Sequence, residues 1–168
     1  MDEKIKGIIK QFSEAVQFVM STMAMVDVSS RTPYVKKDNT ATGDISGVIG
    51  FSNARNHTGG TMSLTFTQES ALGIVQNMIG EKYSDLNQDV ADAVGELTNM
   101  ICGQARKNLS EKMNMDFEGA IPTVITGNGH SIRHMSSSAI LAMPFSSEYG
   151  DLTVEVCFSW GPRDKSAF

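Results

Sequence analysis

Four residues carry the chemistry that this sequence can offer. Asp92, Glu96, Asn99 and Gly103 recur at steps of four, three and four in a segment that reads as a long helix. At about 100° per residue they fall on one narrow stripe. Val90, Val94, Leu97, Ile101, Ala105 and Leu109 fall on the other side as an apolar face, so the stripe is expected to face solvent. Each polar residue alone reads as an ordinary solvated side chain. Gly103 changes that reading. A glycine inside a helix costs about 1 kcal/mol relative to alanine, and on a solvent face no packing within the subunit offsets the cost. A partner surface that approaches closely does. The stripe contains no histidine and no Ser–His or Cys–His pair, so it supplies no nucleophile and no strong general base. Its carboxamide can hold a water in line for attack on phosphorus, as a glutamine does in GTPases. Its carboxylate can bind a lysine of the partner.

The remaining candidates are weaker. His57 falls in a turn, and His130 and His134 flank another, where loop polarity explains them. Gly59-Gly60 lacks the context of a phosphate loop. Cys102 and Cys157 form no CxxC and no zinc spacing, so they read as two reduced thiols in the core, with no metal site. Eleven methionines are more than usual. Met20, Met23, Met25, Met78 and Met113 lie on or near apolar helix faces, which makes core filling the first reading and a pliable docking surface the second.

The elements that must position the stripe follow from periodicity. Ile5, Ile8, Ile9, Phe12, Val16, Val19, Met20 and Met23 give a first helix over about 3–26. Residues 36–44 read as a loop. A strand over 45–51 contains Gly47 and Gly50, which permit a bulge or a close approach. A turn over 53–60 leads to an alternating strand over 61–66, and the two strands form an antiparallel hairpin. Thr67 caps a second helix with Leu72, Val75, Met78 and Ile79 on its apolar side and Gly80 at its end. The long helix is expected from about Gln88 to Met113. Strands follow over 122–126, 138–145 and 152–160, with Gly127-Asn128-Gly129 as a turn. In the last strand Val154, Val156 and Phe158 oppose Glu155, Cys157 and Ser159, a half-buried pattern. Grouped strands predict an α+β fold with a mostly antiparallel sheet and long amphipathic helices packed on one face. Both halves begin with a long helix followed by strands, which is compatible with a degenerate internal repeat.

At 168 residues and 18.2 kDa the chain fits one domain over 1–160, with a polar tail over 161–168. The net charge of −5 and pI near 5.1 give no basic footprint, so nucleic acid is not an expected partner. The N-terminus lacks the apolar stretch of a signal peptide, and the most apolar window, 15–28, is too interrupted to span a membrane. The expected location is the cytoplasm.

The segment from Asp92 to Gly103 (DAVGELTNMICG) resembles the D/S-x3-E-x2-N-x3-G signature of the CheC/CheX/FliY chemotaxis phosphatases. One long signature, the chain length and three strands after it look most like CheX. The resemblance implies a phosphatase acting on the aspartyl phosphate of a CheY-like response-regulator receiver. It implies that Glu96 pairs with the receiver's lysine, that Asn99 orients the attacking water, and that Asp92 and Gly103 belong to the contact surface. It implies no cofactor in this chain, with Mg²⁺ held by the receiver, and a homodimer that exchanges strands. CheC-like members carry a second signature in the first helix. This chain has only Glu14 and Gln17 there, so that site reads as absent. Two other readings stand beside it: a non-catalytic receiver-binding or signalling-assembly module that uses the same stripe only as contact surface, and an α+β domain that binds a small ligand.

Overall fold

The computed structural model describes residues 2–134 and 138–160, and the expected order of helices and strands is present within them. The elements are α1 (Glu3–Met23), β1 (Ser29–Ser30), β2 (Tyr34–Lys36), β3 (Thr40–Asn53), β4 (Thr58–Phe66), α2 (Gln68–Ile79), α3 (Gln88–Met113), β5 (Glu118–Gly119), β6 (Thr123–Arg133), β7 (Ile140–Ser147) and β8 (Gly150–Ser159). The strands form one sheet in which all pairings are antiparallel. Its order is β1 and β2 on β7, then β8, β4 and β3, with β5 and β6 on the far side of β3. The fold is α+β. Each half of the chain supplies a long helix, two leading strands and two further strands, and the leading strands of each half pair across with the other, β1 and β2 with β7, β5 and β6 with β3.

Side-chain oxygens set where two of the helices begin. Thr67 accepts a hydrogen bond from the Ser70 amide at the start of α2, and Gly80 at φ 84° ends it. Asn87 accepts from the Val90 amide, and Asn114 at φ 54° ends α3. α1 stops at Met23 rather than near 26. Met25 takes a positive φ of 54° and the Val26 amide reaches back to the Met20 carbonyl at 3.1 Å, which closes the helix and buries Val26. α2 keeps Val75 buried and Leu72 and Met78 partly buried against the core, as expected, but its fully buried line is rotated toward Ala71 and Ile74. Ser70, Ala71, Ile74 and Val75 are buried, whereas Ile79 is exposed. Gly73 lies against the Tyr149 ring, which fixes that rotation.

The helices cover one face of the sheet. Ile45, Ile49 and Phe51 of β3, Met62, Leu64 and Phe66 of β4, and Val154, Val156 and Phe158 of β8 meet the apolar faces of all three helices in a single cluster. Phe12, Phe51, Phe117 and Phe158 interlock in it at ring separations of 5.2 to 6.4 Å. α3 sits unusually close to β3. A methyl group on Gly47 would lie 1.9 Å from Oγ1 of Thr98, and one on Gly95 would lie 3.2 Å from Cγ2 of Val124 in β6. Thr98 is fully buried, and its hydroxyl donates to the Val94 carbonyl at 2.7 Å.

The other face of the sheet departs from the sequence reading. Residues 40–44 are strand, not loop, and Gly127-Asn128-Gly129 is a bulge inside β6, not a turn between strands. Three residues of β6 there oppose the single Asp44 of β3, and such an insertion bends a strand pair. The Asp44 carboxylate pins the bend, accepting from the Gly129 amide at 2.9 Å and from the Gln68 amide at 2.8 Å. Those two bonds hold its pKa below the usual carboxylate value. Past the bend, the end of the β3–β6 ribbon brings His134 against Glu155 of β8. Glu155 is therefore buried rather than half-exposed, and Cys157, with its thiol 3.9 Å from the Ser138 carbonyl, is buried too. Glu155 bonds to Lys36 at 2.8 Å and to His134 at 2.9 Å, so His134 is a buried partner of a carboxylate and not loop polarity. A buried charge needs such partners. Residues 161–168, read as a tail, lie outside the described residues.

Gly47→Ala tests the seat of α3. The added methyl is expected to cost about 1–3 kcal/mol by overpacking, measured by urea unfolding. An unchanged midpoint would show that α3 can lift from β3 without penalty.

Candidate functional site

α3 separates its two faces cleanly. Val90, Val94, Leu97, Ile101, Ala105 and Leu109 all have 0% exposure. Asp92, Glu96 and Asn99 are exposed, and Gly103 is half-buried. The sequence stripe is thus one continuous surface feature, about 16 Å long at 1.5 Å per residue. Among the described residues, no hydrogen bond or ion pair engages the side chain of Glu96 or Asn99. Asp92 differs, since its carboxylate accepts from Nε2 of Gln88 at 2.7 Å.

Gly103 has no steric need for hydrogen within the subunit. A methyl group there would meet only Nη2 of Arg106, at 4.0 Å. Arg106 itself is drawn to the side, with Nη1 donating to the Phe117 carbonyl at 3.1 Å and its guanidinium lying over Gly119. The surface in front of Gly103 is flat and open.

Position on the sheet explains how the stripe is held. Thr98 sits between Leu97 and Asn99 and is locked on Gly47, while Gly95, beside Glu96, is locked on Val124. The backbone that carries Glu96 and Asn99 is therefore fixed on two strands. Gly47 signalled a close approach in the sequence. Thr98 was not singled out, although a threonine in a helix interior that bonds its i−4 carbonyl is a recognisable pattern.

The stripe is a convex helix face, not a cleft. A depression of about 740 Å³ lies at the β3–β4 turn, lined by Asn53, His57, Thr58, Cys157 and others, and includes none of the four stripe residues. Among the described residues no group of three or more His, Cys, Asp or Glu is placed to hold a metal ion. His57 is exposed in its turn. His130 bonds to Ser46 at 2.9 Å and to the Gly127 carbonyl at 2.9 Å, which ties it to the bulge. Cys102 and Cys157 are buried and unpaired as disulfides, and burial pushes the Cys102 thiol up. On α1, Glu14 lies 3.8 Å from Lys10, and Nε2 of Gln17 donates to the Val28 carbonyl at 3.4 Å.

Residues 45–146 match the family described as chemotaxis phosphatase CheX, a span that contains the whole stripe and most of the sheet. The chain belongs to the CheX family. A chemotaxis protein CheX from Desulfovibrio desulfuricans is 47% identical, with a TM-score of 0.83 over 90% of this chain and 99% of that one. The CheY-P phosphatase CheX of Thermotoga maritima is 34% identical over 101 residues, 58% of this chain and 63% of that protein, so the match spans less than two thirds of that relative. The CheX of a CheX–CheY–BeF3–Mg²⁺ complex from Borrelia burgdorferi shares the fold, with a TM-score of 0.72 at 22% identity over 89% of this chain and 96% of that one.

Gly103→Ala separates partner contact from folding. In this CheX-family chain it is expected to raise stability by about 1 kcal/mol through helix propensity, seen as a Tm higher by about 2–4 °C. A lower Tm would show that the subunit's own fold requires the glycine.

Proposed function

We propose that this protein is a phosphatase for the aspartyl phosphate of a CheY-like receiver. The observation that carries the reading is the pair Glu96 and Asn99, exposed, uncommitted and one turn apart on a rigid helix that ends its stripe at Gly103. Such a helix can lie on a receiver and enter its active site, because Gly103 leaves room for the two surfaces to close. Glu96 then pairs with the receiver's lysine and fixes the orientation. The Asn99 carboxamide contributes a carbonyl that accepts from a water and an amide that donates toward the phosphoryl oxygens. Held in line, the water attacks phosphorus as the bond from phosphorus to the aspartyl oxygen breaks. The products are inorganic phosphate and a free aspartate carboxylate, with the water's proton leaving to phosphate or solvent. Mg²⁺ held by the receiver offsets charge on the phosphoryl oxygens. Positioning of this kind is what phosphoryl transfer chiefly needs, so one carboxylate and one carboxamide suffice on this side. The names of the Thermotoga and Borrelia relatives, a CheY-P phosphatase and a CheX bound to CheY, support this partner.

β6 pairs with β3 along one edge and, among the described residues, with no strand along the other. That edge is where a second copy would add, and a sedimenting mass near twice 18.2 kDa, as opposed to one copy, would support the dimer.

The phosphate lifetime of a receiver in Mg²⁺ tests the reaction. The unaltered protein should shorten it. Asn99→Ala should lose at least about 100-fold in rate, the ordinary scale for a lost positioning group, with an unchanged Tm. Glu96→Ala should act mainly on KM. Full activity in Asn99→Ala would refute the mechanism. Phosphorylation-dependent binding with no change in lifetime would favour the non-catalytic receiver-binding module.

A further inference from the structure

Phe18 is 54% exposed on α1. The face of α1 that meets the sheet includes Phe12, Val16, Val19 and Met20, all buried. Phe18 lies on a different face, which two contacts define. A methyl group on Gly7 would lie 2.9 Å from Cε of Met113, and Nδ2 of Asn108 donates to the Gln11 carbonyl at 3.2 Å. Passing from Gly7 to Gln11 along α1 thus passes backward from Met113 to Asn108 along α3, so the helices are antiparallel. Gly7, Gln11 and Phe18 share one side of α1, being at i, i+4 and i+11. Phe18 is two turns beyond Gln11, which brings it level with α3 about two turns before Asn108. That is the level of Met100.

Met100, Gln104 and Asn108 follow at steps of four, and Asn108 touches α1. They form the edge of α3 next to α1. Met100 is half-buried against the core. Phe18 and Met100 therefore give the polar stripe an apolar border on the α1 side. The first half of the stripe is acidic, with Asp92 and Glu96 exposed, and Asp89 is exposed one turn before them. An acidic row beside an exposed aromatic fits a partner surface on which a basic group adjoins an apolar patch.

We propose that Phe18 is an apolar anchor for the receiver, docking beside its phosphorylation site while Glu96 meets its lysine. The inference rests on the receiver-phosphatase reading and adds a residue from outside the signature segment. Phe18 sets affinity and receiver choice. It does not touch the reacting atoms, so it acts on binding of the ground state and transition state alike.

The test uses the full chain and a CheY-like receiver carrying Mg²⁺ and beryllium fluoride. Phe18→Ala should raise Kd by about tenfold or more, as for a buried aromatic contact, and Phe18→Leu by less. KM for the phosphorylated receiver should rise by the same factor, with kcat at saturation within about twofold and Tm unchanged. An unchanged Kd in Phe18→Ala, or a fall in kcat without a rise in KM, overturns the proposal. So does failure of the unaltered protein to bind any such receiver. Asn99→Ala keeps the two claims apart. If it retains activity while Phe18→Ala weakens binding, docking stands and the reaction assignment falls. If it is inactive while Phe18→Ala binds normally, the anchor alone falls.

Discussion

The contact between Gly47 and Thr98 places everything else. A helix normally stands off a sheet by the thickness of two side chains. Here one of the two is missing, and α3 descends until the Thr98 hydroxyl occupies the space of a glycine Cβ. The residue after Thr98 is Asn99, about 100° further round the helix, so the carboxamide projects from the same turn that is seated on the strand. Close packing transmits position, because interiors of this density leave little room for drift. A carboxamide that must hold a water in line gains from a support of this kind.

The same economy governs the chemistry. The stripe has no group that could attack phosphorus or take a proton strongly, and the buried thiols and His134 are committed to the interior. In the proposed reaction the labile bond, the metal and the lysine all belong to the receiver. The fold then needs only to deliver two side chains on a firm convex surface, without a pocket. α1 widens that surface rather than merely covering the core, since its antiparallel register brings Phe18 alongside the middle of α3.

Much of this was legible in the residues. The bounds of α3, its buried face and its exposed stripe follow from 3.6-residue periodicity, which is a local signal. The close approach at Gly47 was signalled by an interior strand glycine. What was not legible depends on distant pairing. Gly127-Asn128-Gly129 has the composition of a turn, and only the pairing of β6 with both halves of β3 makes it a bulge. Glu155 alternates like a solvent-facing residue, and only His134 from the end of the β3–β6 ribbon and Lys36 from β2 reveal a buried cluster. Phe18 reads as one exposed aromatic among helix residues until the register with α3 shows what it borders.

The most direct measurement is an amide chemical-shift map of this protein on adding a receiver loaded with Mg²⁺ and beryllium fluoride. The account predicts that the largest changes follow Asp92, Glu96, Asn99 and Gly103 and extend to Phe18, with the face of the sheet that carries Glu155 and His134 unaffected. Changes centred on that opposite face, or on the free edge of β6, with α3 silent, would contradict it.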